Sequence, residues 1–447
     1  MPHNPMPPTL QDVDALRKLG VWHVLLQALV TGGLAGMVIG LFRAAYNFLH
    51  ELTIHALQTY DVHEPLVAGV LFSTLVVLAM LSLVLLQLEP CISGSGIPQV
   101  ELMVHDKLRM RWLRVLLCKF TGTLISLSGG LSVGREGPSI MMGAAVGAGA
   151  GQLWSRGGQY NLPRFLVGGS VAGMTAAFSA PVAGLFFAFE EMKTLLSVPM
   201  FLFTGGCALA AWLVVDKIFG FGLVFPFATQ PFLHWTQLWF VLAVGVTMGV
   251  LGSLYNGLLI HLTLWEDRCR LLPRPLRILL PFMVAGSLLY VYPQVMPGVG
   301  IATLQLENLP LQFAALLVLL GVKLVFSCVS FASGVSGGIL MPLLHMGALG
   351  GACMASAFHA VQLIDVEQTG TILTLGMAGM FAAAVRAPLT GAALIVEMTG
   401  AFHNAPVVVL TAYVAVCTAN VLRSMPVYDS LRNRCRTQQP LSVDAVQ

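Results

Sequence analysis

Long apolar stretches take up most of the chain, at about 22–50, 66–88, 113–128, 139–154, 165–189, 199–219, 236–264, 276–293, 311–331, 338–360, 369–396 and 405–424. A helix needs about 20 apolar residues to cross hydrocarbon, and these runs are partly too short and partly too long. Gly and Pro, 46 and 24 in number, break them repeatedly. A bilayer tolerates irregular backbone only where protein encloses it or where it lines a cavity. The pattern therefore predicts an all-α polytopic membrane protein with broken, tilted helices. Charged residues make up 10% of the chain and mean hydropathy is +0.82, so neither a soluble fold nor a nucleic-acid partner is expected. The lipid bilayer is the first partner.

The most informative charges lie at Gly134-Arg135-Glu136-Gly137-Pro138, whose flanks are too apolar to face water. Pro is at home in the first turn of a helix and not inside one. The motif therefore reads as a helix N-terminus buried at depth. Such an end offers free backbone N–H groups and the positive pole of the helix dipole, a ready site for an anion. Glu136 is then either the resident anion or a competitor for one. The eight Cys show no paired spacing and mostly sit in apolar runs, so they read as small core residues and neither metal ligands nor a disulfide frame. No cofactor is expected. Gly32, Gly33, Gly36 and Gly40 read as close-packing positions.

The net charge of +3 matters less than where the basic residues lie: at 107–119, 268–277 and 423–436, with Arg17 and Lys18 near the start. No cleavable signal is evident. Both termini are expected to face the cytoplasm, which requires an even number of crossings.

Self-similarity at a long period divides the chain. Gly94-Ser95-Gly96-Ile97 recurs as Gly298-Val299-Gly300-Ile301. Gly134, Pro138 and Gly143 recur as Gly338, Pro342 and Gly347, at an offset of 204 positions. Pro181, Gly184 and Glu190 recur as Pro388, Gly391 and Glu397, at an offset of 207. The expected organisation is a segment at 1–21 with a short helix from about Leu10, a membrane repeat at 22–220, a linker at 221–235, a second repeat at 236–425 and a short tail at 426–447. Twofold repeats with broken helices are typical of transporters, which hold substrate at the repeat interface near the bilayer midplane. The spacing alone leaves the relative orientation of the repeats open.

Gly94-Ser-Gly-Ile-Pro98, Gly134-Arg-Glu-Gly-Pro138 and Gly338-Ile-Leu-Met-Pro342, followed by Tyr428, closely resemble the anion-binding signatures and gate tyrosine of the CLC chloride channel and transporter family. The match runs from about 30 to 430, and the short C-terminal end resembles bacterial members without cytoplasmic nucleotide-binding modules. The resemblance implies a homodimer with one anion pathway per subunit, two inverted repeats in each, and an interface around 199–219 and 405–424. It implies residence in a bacterial inner membrane, with chloride and protons as the transported ions and no enzymatic activity. It further implies an anion site built from Ser95, Gly96, Ile97, Glu136, Gly137, the backbone of Ile339 and Leu340, and the hydroxyl of Tyr428. Leu340 stands where relatives often have Phe, a change that spares a backbone donor. Ser95 in place of Pro points to chloride over nitrate, and Pro138 points away from the fluoride-exporting branch.

Each assignment has a plainer competitor. Ser95 could simply cap a helix, Tyr428 could anchor at the membrane interface, and Glu136 could be a static charge neutralised by Arg135. Glu190 and Glu191 lie about 100° apart around a helix and face different ways. Glu190 has the repeat partner Glu397, which suggests a structural part in both halves as an acceptor of backbone N–H bonds. Met398 stands opposite Glu191, so Glu191 has a task needed on one side only. That matches the family's inner proton-transfer glutamate, against the alternative of a solvated carboxylate at a helix end. Glu101 and Lys119 are expected to form a buried support pair, and Gln99, where the family often has an acid, to alter the local polar network. The expected function is chloride/proton exchange, with Glu136 and Glu191 on the proton path, serving as an electrical shunt in acid resistance. The alternatives are a gated passive chloride channel and, remotely, an intramembrane serine protease at Gly334-Val-Ser336-Gly337, for which His345, His359 or His403 would have to serve as base.

Overall fold

The computed structural model describes residues 20–105, 108, 110–154, 162–194, 197–227, 231, 237–268, 273–291 and 312–438. The short helix from Leu10, linker residues 228–230 and 232–235, the Gly298–Ile301 motif and Cys269 lie outside them. Among the described residues sixteen α-helices follow one another: α1 Val21–Thr59, α2 Pro65–Leu88, α3 Ile97–Val104, α4 Trp112–Ser128, α5 Glu136–Trp154, α6 Leu162–Phe178, α7 Pro181–Glu190, α8 Val198–Lys217, α9 Leu238–Arg268, α10 Arg274–Val291, α11 Phe313–Ala332, α12 Leu340–Ala360, α13 Thr369–Val385, α14 Pro388–Thr399, α15 Ala405–Val421 and α16 Val427–Gln438. Eight of the described helical stretches are long and apolar enough to cross a membrane. Of the most apolar 18 residues of α12, 83% are buried inside the protein, against 28% for α2 and α10. The centre of the protein is thus built on α5, α6, α12 and α13, and α2 and α10 present their apolar sides outward.

Small residues let the central helices cross closely. A Cβ on Gly173 of α6 would come within 2.9 Å of the Ser139 carbonyl carbon on α5, and one on Gly347 of α12 would meet the Met377 Cα on α13 at 2.7 Å. Gly32 and Gly36 of α1 lie equally tight against Cys207 and Ala211 of α8, and Gly40 against Phe219; Gly33 faces open space. The apolar runs expected at 165–189 and 369–396 each divide into two helices. Ser179 and Arg386 take left-handed backbone (φ 58° and 72°) just before Pro181 and Pro388 start the next helix. Freed carbonyls at these breaks find donors: Arg43 donates to Ala176 O at 2.7 Å, and Asn256 to Ala384 O at 2.9 Å. Of the cysteines, Cys91, Cys207, Cys328 and Cys353 are buried as expected, whereas Cys417 is exposed on the apolar outer side of α15.

Two reciprocal contacts fix how the halves relate. Gly134 N donates to Gly338 O at 2.6 Å and Gly338 N to Gly134 O at 2.7 Å, an antiparallel exchange between equivalent positions. Glu190, at the end of α7, accepts from Leu389 N at 3.1 Å and Thr390 N at 2.7 Å at the start of α14. Glu397, near the end of α14, accepts in turn from Val182 N at 3.0 Å and Ala183 N at 2.8 Å at the start of α7. Each carboxylate fills the anion position at the other helix's N-terminus, so α7 and α14 run antiparallel. The equivalent elements therefore point in opposite directions, as inverted repeats require. Charge-assisted bonds of this kind contribute about 1.5–3 kcal/mol each. Glu397→Ala is expected to lower stability by about 2–4 kcal/mol, seen as an earlier unfolding midpoint in detergent, with Glu397→Gln recovering part of the loss.

Candidate functional site

Three helix starts converge at the junction of the halves. The Gly94–Gly96 loop opens α3, with Gly94 and Gly96 at φ 66° and 94°, a backbone only glycine adopts without strain. Gly94 N donates to Val335 O at 3.0 Å and Gly337 N to Gly94 O at 3.1 Å, which ties this loop to the one that opens α12. A Cβ on Gly137 would lie 2.6 Å from Ser95 Oγ and 2.8 Å from Ser95 O, so the starts of α3 and α5 touch through Gly137. A Cβ on Gly338 would lie 3.1 Å from Gly137 N. Three positive helix ends thus face one small region with no room for additional side chains.

Glu136 is completely buried at the start of α5. Its nearest cation is Arg135, with Nε 3.8 Å from Oε1, and the backbone amides of Glu136 and Met341 face the carboxylate. Neither oxygen completes a hydrogen bond. Arg135 spreads its guanidinium over Tyr46, 5.8 Å from the ring centroid, and its Nε is unbonded. A carboxylate so loosely held is unlike Glu190 and Glu397, which are locked by two amides each.

Ser95 is buried, and its Oγ accepts from Ile97 N at 3.3 Å. Ser95 stands one residue before the N-cap Gly96, and this bond uses only a lone pair and leaves the hydroxyl hydrogen for another acceptor. The Tyr428 hydroxyl, buried at the start of α16, faces Ser95 and has no hydrogen-bond partner. Ile339 and Leu340 are buried at the start of α12. Gly96 and Ile97 belong to the same convergence. These residues can surround a dehydrated anion with N–H and O–H groups, and no full cation is needed to hold it.

Two cavities approach this block. One, of about 360 Å³, is lined by Gly134, Arg135 and Met341 together with Tyr46, His50 and Lys323. The other, of about 90 Å³, is lined by Ser93, Ser95, Gln99, Arg434 and Cys435. Glu136, Ile339 and Tyr428 line neither, and all three are buried.

Glu191 ends α7 and is 7% exposed. The charged groups that act on it are Glu101, Lys193, Asp429 and Arg432. The expected Glu101–Lys119 pair does not form. Lys119 is fully buried and donates to Ile92 O at 2.8 Å and Gly94 O at 2.6 Å, carbonyls that the turn before α3 leaves without helical partners. It braces the Ser95 loop. Glu101 instead pairs with Arg432 of α16. Gln99 Nε2 reaches Ser93 O at 2.9 Å and adds to the same loop. Ser336 shares a 2.9 Å hydrogen bond with the hydroxyl of Thr123.

Sequence reasoning missed Lys323 and Arg432. Lys323, buried on α11, stands 204 positions after Lys119, so the repeat could have found it. Nothing local marks Arg432 among the basic residues of the C-terminal segment.

A family model described as voltage gated chloride channel matches residues 77–420. The chain is similar to the H(+)/Cl(-) exchange transporter ClcA of Vibrio parahaemolyticus, 33% identical over 430 residues that cover 92% of this chain and 89% of the relative. Its fold resembles a slow cyanobacterial Cl-/H+ antiporter at a TM-score of 0.86 and 28% identity, covering 94% of this chain and 99% of the other. A eukaryotic CLC transporter shares the fold at a TM-score of 0.78 and 21% identity, over 92% of this chain and 73% of that one.

Proposed function

This chain belongs to the voltage-gated chloride channel family, and from that premise we propose that it exchanges chloride for protons, with Glu136 as the point where the two ions meet. The observation that carries the reading is the Glu136 carboxylate itself, fully buried among converging helix starts with neither oxygen hydrogen-bonded. Ionised, it occupies the position a chloride ion would take. Protonated, it loses its attraction to the helix ends and gives the position up. One residue thereby links anion entry to proton binding. Ser95, Gly96, Ile97, Gly137, the backbone of Ile339 and Leu340, and Tyr428 form the rest of the chloride site. Arg135 raises the potential at its mouth, and Lys119 holds the Ser95 loop.

Glu191 supplies the proton from the opposite side. It is nearly buried and lies among four charged groups at the end of α7. The 360 Å³ cavity serves as the outer approach and the 90 Å³ cavity as the inner one. The chain divides into membrane halves at 22–220 and 236–425, joined by 221–235. It works as a homodimer in a bacterial inner membrane with both termini in the cytoplasm, and exposed apolar residues on α8 and α15, among them Leu209, Leu213, Leu410 and Tyr413, supply the interface. Electrogenic exchange would let it act as a shunt during acid stress.

The test is Glu191→Gln in liposomes. Chloride-driven proton movement is expected to fall to background, while chloride flux persists. Proton coupling that survives the substitution would remove Glu191 from the path, and a wild type with chloride flux and no proton movement would be a passive channel.

A further inference from the structure

Helix α16 carries two groups one turn apart, Tyr428 and Arg432, at a spacing that puts both on one face. Tyr428 faces Ser95 just before α3, and Arg432 pairs with Glu101 inside α3. The same two elements thus meet at two points, where the Tyr428 hydroxyl faces Ser95 and where Arg432 and Glu101 form an ion pair. Glu101 is only 3% exposed at its side chain, so its charge depends on that partner. Arg432 also reaches Asp429 at 2.9 Å, and Lys193 reaches Asp429 at 2.6 Å and Glu101 at 4.0 Å. Lys193 holds left-handed backbone (φ 51°), an unfavourable conformation for a residue with a side chain, kept where surrounding contacts impose it. It follows Glu191 by two residues. The ring of His105 lies 2.8 Å from the Glu101 carbonyl oxygen and closes this end of α3. A separate pair, Arg434 with Asp267 at 2.7 Å, fastens α16 to α9.

We propose that Arg432 is a positioning residue for the inner gate: through Glu101, Asp429 and Lys193 it holds α16 so that Tyr428 closes on Ser95, and it ties that closure to the proton state of Glu191. The inference rests on the exchange reading above. The tie follows from charge balance. With Glu191 ionised, three carboxylates (Glu101, Asp429 and Glu191) face two cations (Lys193 and Arg432); with Glu191 protonated, the charges balance. An ionised Glu191 therefore competes with Glu101 and Asp429 for Arg432 and Lys193, which loosens the clamp on α16. A protonated Glu191 leaves the clamp intact. The network is thus placed to open and close the inner end of the anion path in step with proton transfer.

The experiment measures the chloride-to-proton ratio and the unitary turnover of purified protein in liposomes. Arg432→Gln is expected to raise the chloride-to-proton ratio by about fivefold or more, the scale of a typical coupling free energy, with chloride turnover kept or increased. Arg432→Lys is expected to restore most of the coupling, and Glu191→Gln added to Arg432→Gln should remove the proton movement that remains, as it does alone. Lys193→Gln, at a half-exposed position that folding tolerates, should shift the ratio in the same direction by a smaller factor, and it decides the matter if Arg432→Gln does not accumulate as folded protein. A wild-type ratio in Arg432→Gln, or in Lys193→Gln when that variant stands alone, overturns the inference. Absence of proton movement in the wild type would instead overturn the exchange reading, which separates the two failures.

Discussion

Glu136→Gln is expected to transport chloride with no coupled proton movement and with a chloride flux that no longer responds to pH. The amide has nearly the shape of the protonated acid and no charge, so it cannot compete for the anion position between the helix starts. The carboxylate it replaces is fully buried, has Arg135 Nε 3.8 Å away and completes no hydrogen bond. The Gln carbonyl can still face the Glu136 and Met341 amides, so the fold should survive. Chloride affinity is expected to rise, since the site loses its internal competitor; isothermal titration of chloride into the purified variant measures this. Residual proton coupling in Glu136→Gln would show that protons travel by another residue.

Gly137→Ala is expected to have the opposite effect, loss of chloride transport with helical content unchanged. The added Cβ would stand 2.6 Å from Ser95 Oγ, 2.8 Å from Ser95 O and 3.1 Å from Ser95 Cβ. A side chain alone could swing aside, but the Ser95 carbonyl is backbone. That backbone is pinned on one side by the two hydrogen bonds from Lys119 and on the other by the bonds between Gly94 and the 335–337 segment. Overpacking of this kind costs about 1–3 kcal/mol, and here it falls on the positions of the anion donors. Turnover should drop by at least about tenfold, with chloride binding weakened in parallel. Wild-type flux in Gly137→Ala would mean that Ser95 and the start of α5 do not share a site.

Most of this arrangement was legible because the chain states it twice. The offsets of 204 and 207 identified pairs that the fold brings into mutual contact: Gly134 with Gly338, and the carboxylates of Glu190 and Glu397 on each other's helix starts. Both glutamates accept from backbone N–H groups, as a carboxylate repeated near the same helix end in each half suggests. The breaks at Ser179 and Arg386 were visible only as overlong apolar runs. Pro181 and Pro388 marked where the next helix starts, but the left-handed turn before each depends on tertiary contacts.

The polar partners were harder to foresee. Two opposite charges, Glu101 and Lys119, lie on adjacent helices, and the sequence says nothing of where either side chain points. The positive-φ turns at Gly94 and Gly96 free the carbonyls of Ile92 and Gly94, and these outcompete Glu101 for Lys119. Glu101 then finds Arg432, 331 positions away on a helix that the composition of the C-terminal segment does not announce. Pairings made across such distances leave no periodic trace in one sequence.

The central claim, that chloride and protons move in a coupled exchange, is tested most directly on the unmodified protein. Purified protein in liposomes is given a chloride gradient with no proton gradient, the membrane potential is clamped with valinomycin and potassium, and external pH is followed. Chloride moving down its gradient is expected to drive protons the opposite way, building a pH difference that an uncoupler collapses. Chloride flux with external pH unchanged would contradict it.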